Sequence, residues 1–354
     1  MTLATIALQQ RLRQEQRRRW ILAAAATALV VMLMLASLCL GARDMGPGEA
    51  LRILLSTLVP IDVAQAQRAV LLELRLPRTA MALLAGAGLA LSGAAMQGIT
   101  RNPLVSPYTV GISPAAAFGA SLAILAGATG YAWGPYVIVA AAFACAVGCA
   151  AMVLAFASLR GVSATMLVLG GVGLTYLFGA LTASVQFVAS EQQLAAIVQW
   201  SFGSLNGITW REVAVAGIAV LACAPVLLAH AWALNAFAAG GDDTAAALGF
   251  SVRRVRIAVT IAAVMSTAAI VSFTGVIGFV GLVAPHIARL LAGGDHRWLL
   301  PLSAAVGAAL VLAADMAGRL LFAPVIIPVG IVVAYIGVPL FLHLLLSGRH
   351  KGEL

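Results

Sequence analysis

The stretch TAMALLAGAGLALSGAAMQGIT, residues 79–100, contains no Asp, Glu, Lys or Arg. At about 1.5 Å per residue a helix over it rises about 33 Å, enough to cross a hydrocarbon core of about 30 Å. Gly88 and Ser92 stand in a small-xxx-small arrangement, with Gly86, Gly93 and Gly98 around them. Residues of that size let helix backbones approach closely in lipid. At its mouth lies LLELRLPR, residues 71–78, which sets Arg75 and Arg78 three residues apart.

Working outward, the same pattern recurs along the chain. Charge-free runs cover residues 20–41, 102–159, 161–190, 213–241, 257–288, 298–314 and 320–348. The 354 residues are 62% hydrophobic and only 9% charged, against roughly 25% charged in soluble domains. The composition therefore predicts an integral membrane protein. Alternation with period two is absent, which argues against a membrane barrel. The first apolar run is too long for a signal-peptide core and ends without a clean cleavage site, so it is read as a retained span.

The long runs are divided where turn residues and interfacial aromatics fall. GATGYAWGPY, residues 127–136, supplies glycines, a proline, Tyr131, Trp133 and Tyr136, a mix suited to a membrane surface. Phe273, Thr274 and Gly275 divide a run that would overshoot the bilayer as one helix. Ten spans result, over residues 20–40, 79–98, 108–127, 134–157, 164–187, 212–234, 256–273, 276–292, 299–319 and 329–347. The expected organisation is an N-terminal segment 1–19, a single membrane domain 20–348 and a tail 349–354. In the eighth span, Gly275, Gly278 and Gly281 at intervals of three predict a stripe down one face. Both small-residue stripes point to a compact bundle with a dimer interface.

The net charge of +9 would suggest nucleic acid for a soluble chain, but here the basic residues fall between apolar runs. Ten spans place Arg11, Arg13, Arg17, Arg18, Arg19, Arg101, Arg160, Arg253, Arg254, Arg256, Arg289, Arg297, Arg349 and Lys351 on one side, leaving seven on the other. The positive-inside rule makes the first side, and both termini, cytoplasmic. Arg75 and Arg78 then face outward with Arg43, Arg52, Arg68, Arg211 and Arg319. Lys351 is the single lysine, so the chain has no Walker A loop, and any ATP that drives it binds another subunit. Cys39, Cys145, Cys149 and Cys223 all lie in apolar runs, and without a nearby His they read as packing rather than metal ligands. A secondary transporter should carry several ionisable residues near the midplane; Gln97, His230, His343 and Asp315 are the rare intramembrane polar groups, and of these Asp315 alone is fully charged. Neither an HExxH pair nor an acid, base and nucleophile cluster supports an intramembrane enzyme.

Three stretches in order carry a resemblance: residues 75–113 from RLPRTAM to YTVGIS, GSLNGITW at 203–210, and GVIGFVGLVAPHIARLLAGGDHRWLLP at 275–301. They resemble the FecCD family, permease subunits of ABC importers for iron complexes and vitamin B12. The resemblance implies an all-α fold of ten membrane helices, like that of vitamin B12 importer permeases, in a homodimer in the bacterial inner membrane. It also implies two cytoplasmic ATPases holding ATP and Mg, an external substrate-binding protein, and no cofactor on this chain. By that similarity Arg75, Arg78 and Arg319 meet acidic residues of the binding protein, for which the planar guanidinium fork is suited. Asp315, four residues before Arg319, is expected to hold that arginine in place. The segment 235–256 matches the family's coupling helices, and within it Gly241, Asp242, Asp243, Thr244, Ala245, Leu248 and Gly249 are the expected ATPase contacts. Its acidic pair suits a helix N-terminus. RGVSATM, residues 160–166, aligns with the cytoplasmic gate, giving Val162, Ser163, Ala164 and Thr165. His286, Asp295, His296 and Arg297 are read as helix ends satisfied by local hydrogen bonds. The expected cargo is a ferric siderophore or haem, with cobalamin as the alternative.

Overall fold

The computed structural model describes residues 3–41, 45–159, 163–321 and 323–348, and among these every regular element is helical. The helices are α1 (Leu3–Cys39), α2 (Pro47–Leu55), α3 (Gln65–Ala69), α4 (Leu76–Thr100), α5 (Ile112–Leu125), α6 (Gly134–Leu159) and α7 (Ala164–Val188). They continue as α8 (Glu191–Ser201), α9 (Trp210–Ala229), α10 (Ala231–Ala247), α11 (Val252–Thr274), α12 (Val280–Ala292), α13 (His296–Leu320) and α14 (Val329–Gly348). A π-helical turn, Val70–Arg75, joins α3 to α4. Seven helices are long and apolar enough to span a bilayer, and α5, α12 and most of α14 add three shorter apolar ones. Ten apolar segments therefore stand where the charge-free runs put them.

The boundaries differ in informative ways. The second span was expected to open at residue 79; the helix instead begins at Gln65 and runs on through the π turn into α4. The sixth was expected to end at 234, but α9 stops at His230 and α10 leaves in a new direction. The expected stripe of Gly275, Gly278 and Gly281 is not a helix face. Only Gly281 lies in α12, because Gly275 and Phe279 have φ of +68° and +63° and break the helix between them. Four helices stand outside the ten: α10 falls largely in the expected coupling segment, while α2, α3 and α8 have no long apolar run to announce them.

The core is organised around α4, in which 19 of 25 residues are buried. Its small residues are spent inside the chain. A Cβ on Gly86 would lie 2.3 Å from the Gly307 carbonyl oxygen of α13, and one on Gly93 would lie 1.9 Å from that of Gly281 in α12. This stripe is therefore not free to form the dimer interface expected of it. By contrast α7 buries 5 of its 25 residues, leaving a long face to lipid or a neighbour. Helix starts follow ordinary capping chemistry: Ser163 Oγ accepts from the Met166 amide, Ser190 and Gln193 form a reciprocal capping box, and the Glu212 carboxylate accepts from the Thr209 amide.

Candidate functional site

At the outer end of α4 the three arginines singled out in the sequence converge. Arg78 Nη2 lies 2.8 Å from Asp315 Oδ1, its Nε donates to the same oxygen at 2.9 Å, and its Nη1 donates to Asn206. Arg319 Nε lies 3.1 Å from Asp315 Oδ2, one helical turn away on α13. Asp315 itself is 1% exposed, so its charge is compensated by two guanidinium groups. Arg75 turns toward α1, donating to the carbonyls of Leu38 at 2.8 Å and Cys39 at 3.0 Å. Arg319 donates to Ser37 Oγ at 2.9 Å and to the Leu40 carbonyl at 3.2 Å. The orphan carbonyls at the C-terminus of α1 are thus satisfied by side chains from the π turn before α4 and from α13. The three arginines also line a cavity of about 520 Å³ shared with Glu73, Thr209 and Pro324. Sequence spacing anticipated the Asp315 to Arg319 pair. It did not show that Arg78 joins them, because that contact spans 237 residues.

At the opposite end, the segment after α9 makes a rigid ledge. Gly241, at φ +84° and ψ −156°, divides α10, and Asp242 and Asp243 open the second half. A side chain at 241 would strike the Arg101 guanidinium, 2.7 Å from a built Cβ, so only glycine fits that bend. Arg256, 1% exposed, clasps Asp242 with both terminal nitrogens, at 2.7 and 3.1 Å, and donates to the Ile99 carbonyl at the end of α4 at 3.4 Å. Its guanidinium carbon is 5.5 Å from the centre of the Phe237 ring. Ala245 is buried and Thr244 partly so, while Asp243, Gly249 and Leu248 face out, Leu248 at 63% exposure. Of the expected gate residues, Ser163 caps α7, Ala164 and Thr165 form its first turn, and Val162 lies outside the described residues.

Asp295 organises a third cluster. It caps α13 through the Arg297 amide at 3.1 Å, pairs with Arg297 at 2.7 Å and Arg19 at 3.2 Å, and accepts from Asn235 at 2.8 Å. The Arg297 hydrogen bond, followed by that from Asn235, holds its carboxyl well below the usual carboxylate range despite burial. The sequence reading of these residues as helix ends with local partners holds for Arg297 on Asp295, whereas Arg19 and Asn235 reach Asp295 from 276 and 60 residues away. His296 likewise bonds to Asn235 Oδ1 through its amide, at 2.7 Å, and lies 2.9 Å from it through Nδ1.

Between these ends, helix lengths expose the membrane interior. The 13 residues of α12 and 14 of α5 rise about 20 Å each, short of a core of about 30 Å. Irregular backbone adjoins both short helices, at 101–111 and 275–279, and such backbone at membrane depth is tolerated only when covered by protein or lining a cavity. Both segments do line one. Ser106, Tyr108 and Thr109 meet Val276, Gly278 and Phe279 around an open, mostly apolar cavity of about 570 Å³, bordered by Phe202 and Tyr335. Tight backbone approach builds its wall: Cβ atoms on Gly203, Gly275 and Gly330 would each fall 2.3 Å from a carbonyl oxygen of the adjoining loop. Of these residues sequence reasoning singled out Gly278, but as part of a helix face and not of a cavity. The signal was there in the Phe279 neighbourhood, a break too early for α12 to cross alone.

A helical membrane chain with interrupted helices around an open, mostly apolar cavity, and with an exposed ledge at one end, has the architecture expected of a transport permease. The FecCD transport family model matches residues 29–347, and the chain belongs to that family. It is 34% identical to the hemin transport system permease of Yersinia pestis, covering 90% of this chain and 95% of that one. It is 40% identical to the cobalamin import system permease of Halobacterium salinarum, covering 84% and 79%. A metal-chelate type ABC transporter solved in an inward-facing conformation superposes with a TM-score of 0.80 at 33% identity, covering 92% of this chain and 98% of that one. The protein is thus a multi-pass permease of an ABC importer, an assembly whose permease and ATPase are separate components.

Proposed function

We propose that two copies of this chain form the membrane path of an importer that carries a ferric siderophore or haem inward by alternating access, with cobalamin as the alternative cargo. The observation that carries the reading is the open, mostly apolar cavity. Its walls are aromatic and aliphatic with a few hydroxyls and no charged side chain, which suits a bulky chelate that must be let go as readily as it is admitted. The relatives named for hemin and cobalamin bracket the same cargo class.

In this scheme the basic side of the chain, with both termini, faces the cytoplasm, and the ledge around Leu248 receives one of two ATPase subunits that bind ATP and Mg. Gly241, Asp242, Asp243, Thr244, Ala245 and Gly249 shape and flank that contact, and Val162, Ser163, Ala164 and Thr165 close the path at its inner end. A binding protein docks at the outer cavity of Arg75, Arg78 and Arg319. Because those arginines spend donors on Asp315 and α1, their contribution to docking is a fixed positive field that favours encounter and orientation. This chain itself holds no cofactor. The test is uptake by proteoliposomes of the permease with its ATPase and binding protein, supplied in turn with a radiolabelled ferric siderophore, haem and cobalamin. ATP-dependent accumulation of one of them supports the scheme; accumulation driven by an ion gradient without ATP refutes it.

A further inference from the structure

A groove between α1 and α13 is used by none of the roles above. It encloses about 540 Å³ and runs from Arg19, Trp20, Arg297 and Trp298 at its mouth to Thr27 and Ala305 within the bilayer. Eight residues of α1 separate Arg19 from Thr27, a depth of about 12 Å. The two tryptophans meet edge to face, with ring centres 5.0 Å apart, at the level where amphipathic rings settle in membranes. The mouth is cationic. Arg19 and Arg297 share the one carboxylate of Asp295, Arg18 donates to the Leu291 carbonyl at the end of α12 at 3.2 Å, and Arg17 adjoins them in sequence. These four guanidinium groups stand against Asp295 and Glu15. Below the mouth, Ala23, Leu302 and Ala305 leave a smooth apolar wall, and Thr27 Oγ satisfies itself by donating to the Ala23 carbonyl at 2.9 Å.

We infer that this groove binds one anionic diacyl phospholipid, its phosphate at Arg19 and Arg297 and an acyl chain along the α1 and α13 wall. Charge complementarity selects the headgroup, and the apolar depth selects a lipid over a soluble phosphate. Basic pockets between membrane helices at an interface take anionic lipid headgroups on this principle. The inference uses the membrane fold and the groove alone, so it stands or falls independently of the cargo.

The experiment is native mass spectrometry of the full-length protein in detergent, titrated with dioleoyl-phosphatidylglycerol or dioleoyl-phosphatidylcholine. The glycerol lipid should bind at least about fivefold tighter, and Arg19→Gln should remove about fivefold of that preference, the weight of one basic residue near a bilayer surface. Arg211→Gln, at the start of α9 and away from the groove, should leave it unchanged. Ala305→Trp, which fills the groove, should weaken both lipids; if that variant does not fold, Arg19→Gln decides the matter. Equal binding of the two lipids, indifference to Arg19→Gln, or displacement of the lipid by inorganic phosphate at the concentration of free headgroup would overturn the inference. A change of subunit stoichiometry in Ala305→Trp would also overturn it, since the groove would then be a contact between copies of the chain.

Discussion

Replacing Asp242 by Asn tests what holds the inner ledge in place. The pair it forms with Arg256 is lopsided, since the arginine is 1% exposed and the aspartate 45%. Removing the aspartate charge takes away the carboxylate that both terminal nitrogens of the buried guanidinium clasp, and breaking a buried pair this way costs about 3–5 kcal/mol. Water already screens the exposed carboxylate, so about 2–3 kcal/mol is the expected loss. Removing the other partner should cost less. In Arg256→Met the apolar stem is retained against Phe237, and the orphaned carboxylate has water to turn to, so the loss should stay near about 1 kcal/mol. The double variant should recover part of the Asp242→Asn defect, because no buried charge remains. For a chain of this length the Asp242→Asn loss corresponds to a fall of about 3–4 °C in melting temperature, readable by size-exclusion thermal shift in detergent. If Arg256→Met proves as damaging as Asp242→Asn, or the double variant is worse than both, the ledge is held by packing rather than by the charge pair.

Asp315→Asn should be harsher than Asp242→Asn, since it strands Arg78 and Arg319 together at a carboxylate 1% exposed; the same thermal shift should show the larger fall. Gly93→Ala should lower folded yield sharply, because the new methyl meets the Gly281 carbonyl in two packed helices, whereas Gly148→Ala, with open space at its Cβ, should be neutral. Asp295 contributes a pH dependence whose sign is fixed by its depressed carboxyl. Its stabilisation is fully present above the unfolded carboxyl value of about 3.9 and is lost as pH falls through the lower folded value, so the gap between wild type and Asp295→Asn in thermal stability should be constant from pH 8 to 5 and narrow below pH 4. Leu248→Asp should weaken co-purification of the ATPase at least about tenfold while leaving melting temperature unchanged, since that side chain makes few contacts within the chain; retained co-purification would move the coupling surface elsewhere.

How much of this was legible in the sequence depends on the range of each interaction. The ten apolar segments were, because hydrophobic length is a local quantity that needs no partner. So was the helix start at Asp242, announced by the acidic pair, though not the bend at Gly241 before it. Helix starts were misjudged where the helix extends past the apolar run, as at Gln65, since hydropathy reports the lipid and not the backbone. The Gly275 stripe failed for a related reason: spacing by three describes a face only if the intervening residues are helical, and the backbone at Phe279 is not. The outer cluster was half visible. Arg319 and Asp315 are one turn apart, but Arg78 and Asn206 reach them across the whole fold.

The distribution of these contacts has a mechanical consequence. Helix α4 is tied at its outer end by Arg78 to Asp315 and at its inner end by the Ile99 carbonyl to Arg256, while Gly86 and Gly307 bring it against α13 along the way. The Asp295 cluster then fastens the inner end of α13 to α1 and, through Asn235, to the helix that leads to the ledge. One buried ion pair and close backbone packing between them make α4 and α13 a strut that resists internal shear, since sliding by one turn would part Arg78 from Asp315. The cavity instead borders on elements with less to lose. Its Tyr335 wall belongs to α14, and Val276, Gly278 and Phe279 supply another from the loop at 275–279. Local stability follows buried contact, so a change in the width of this cavity should be borne by α14 and that loop, with the strut moving as a nearly rigid body.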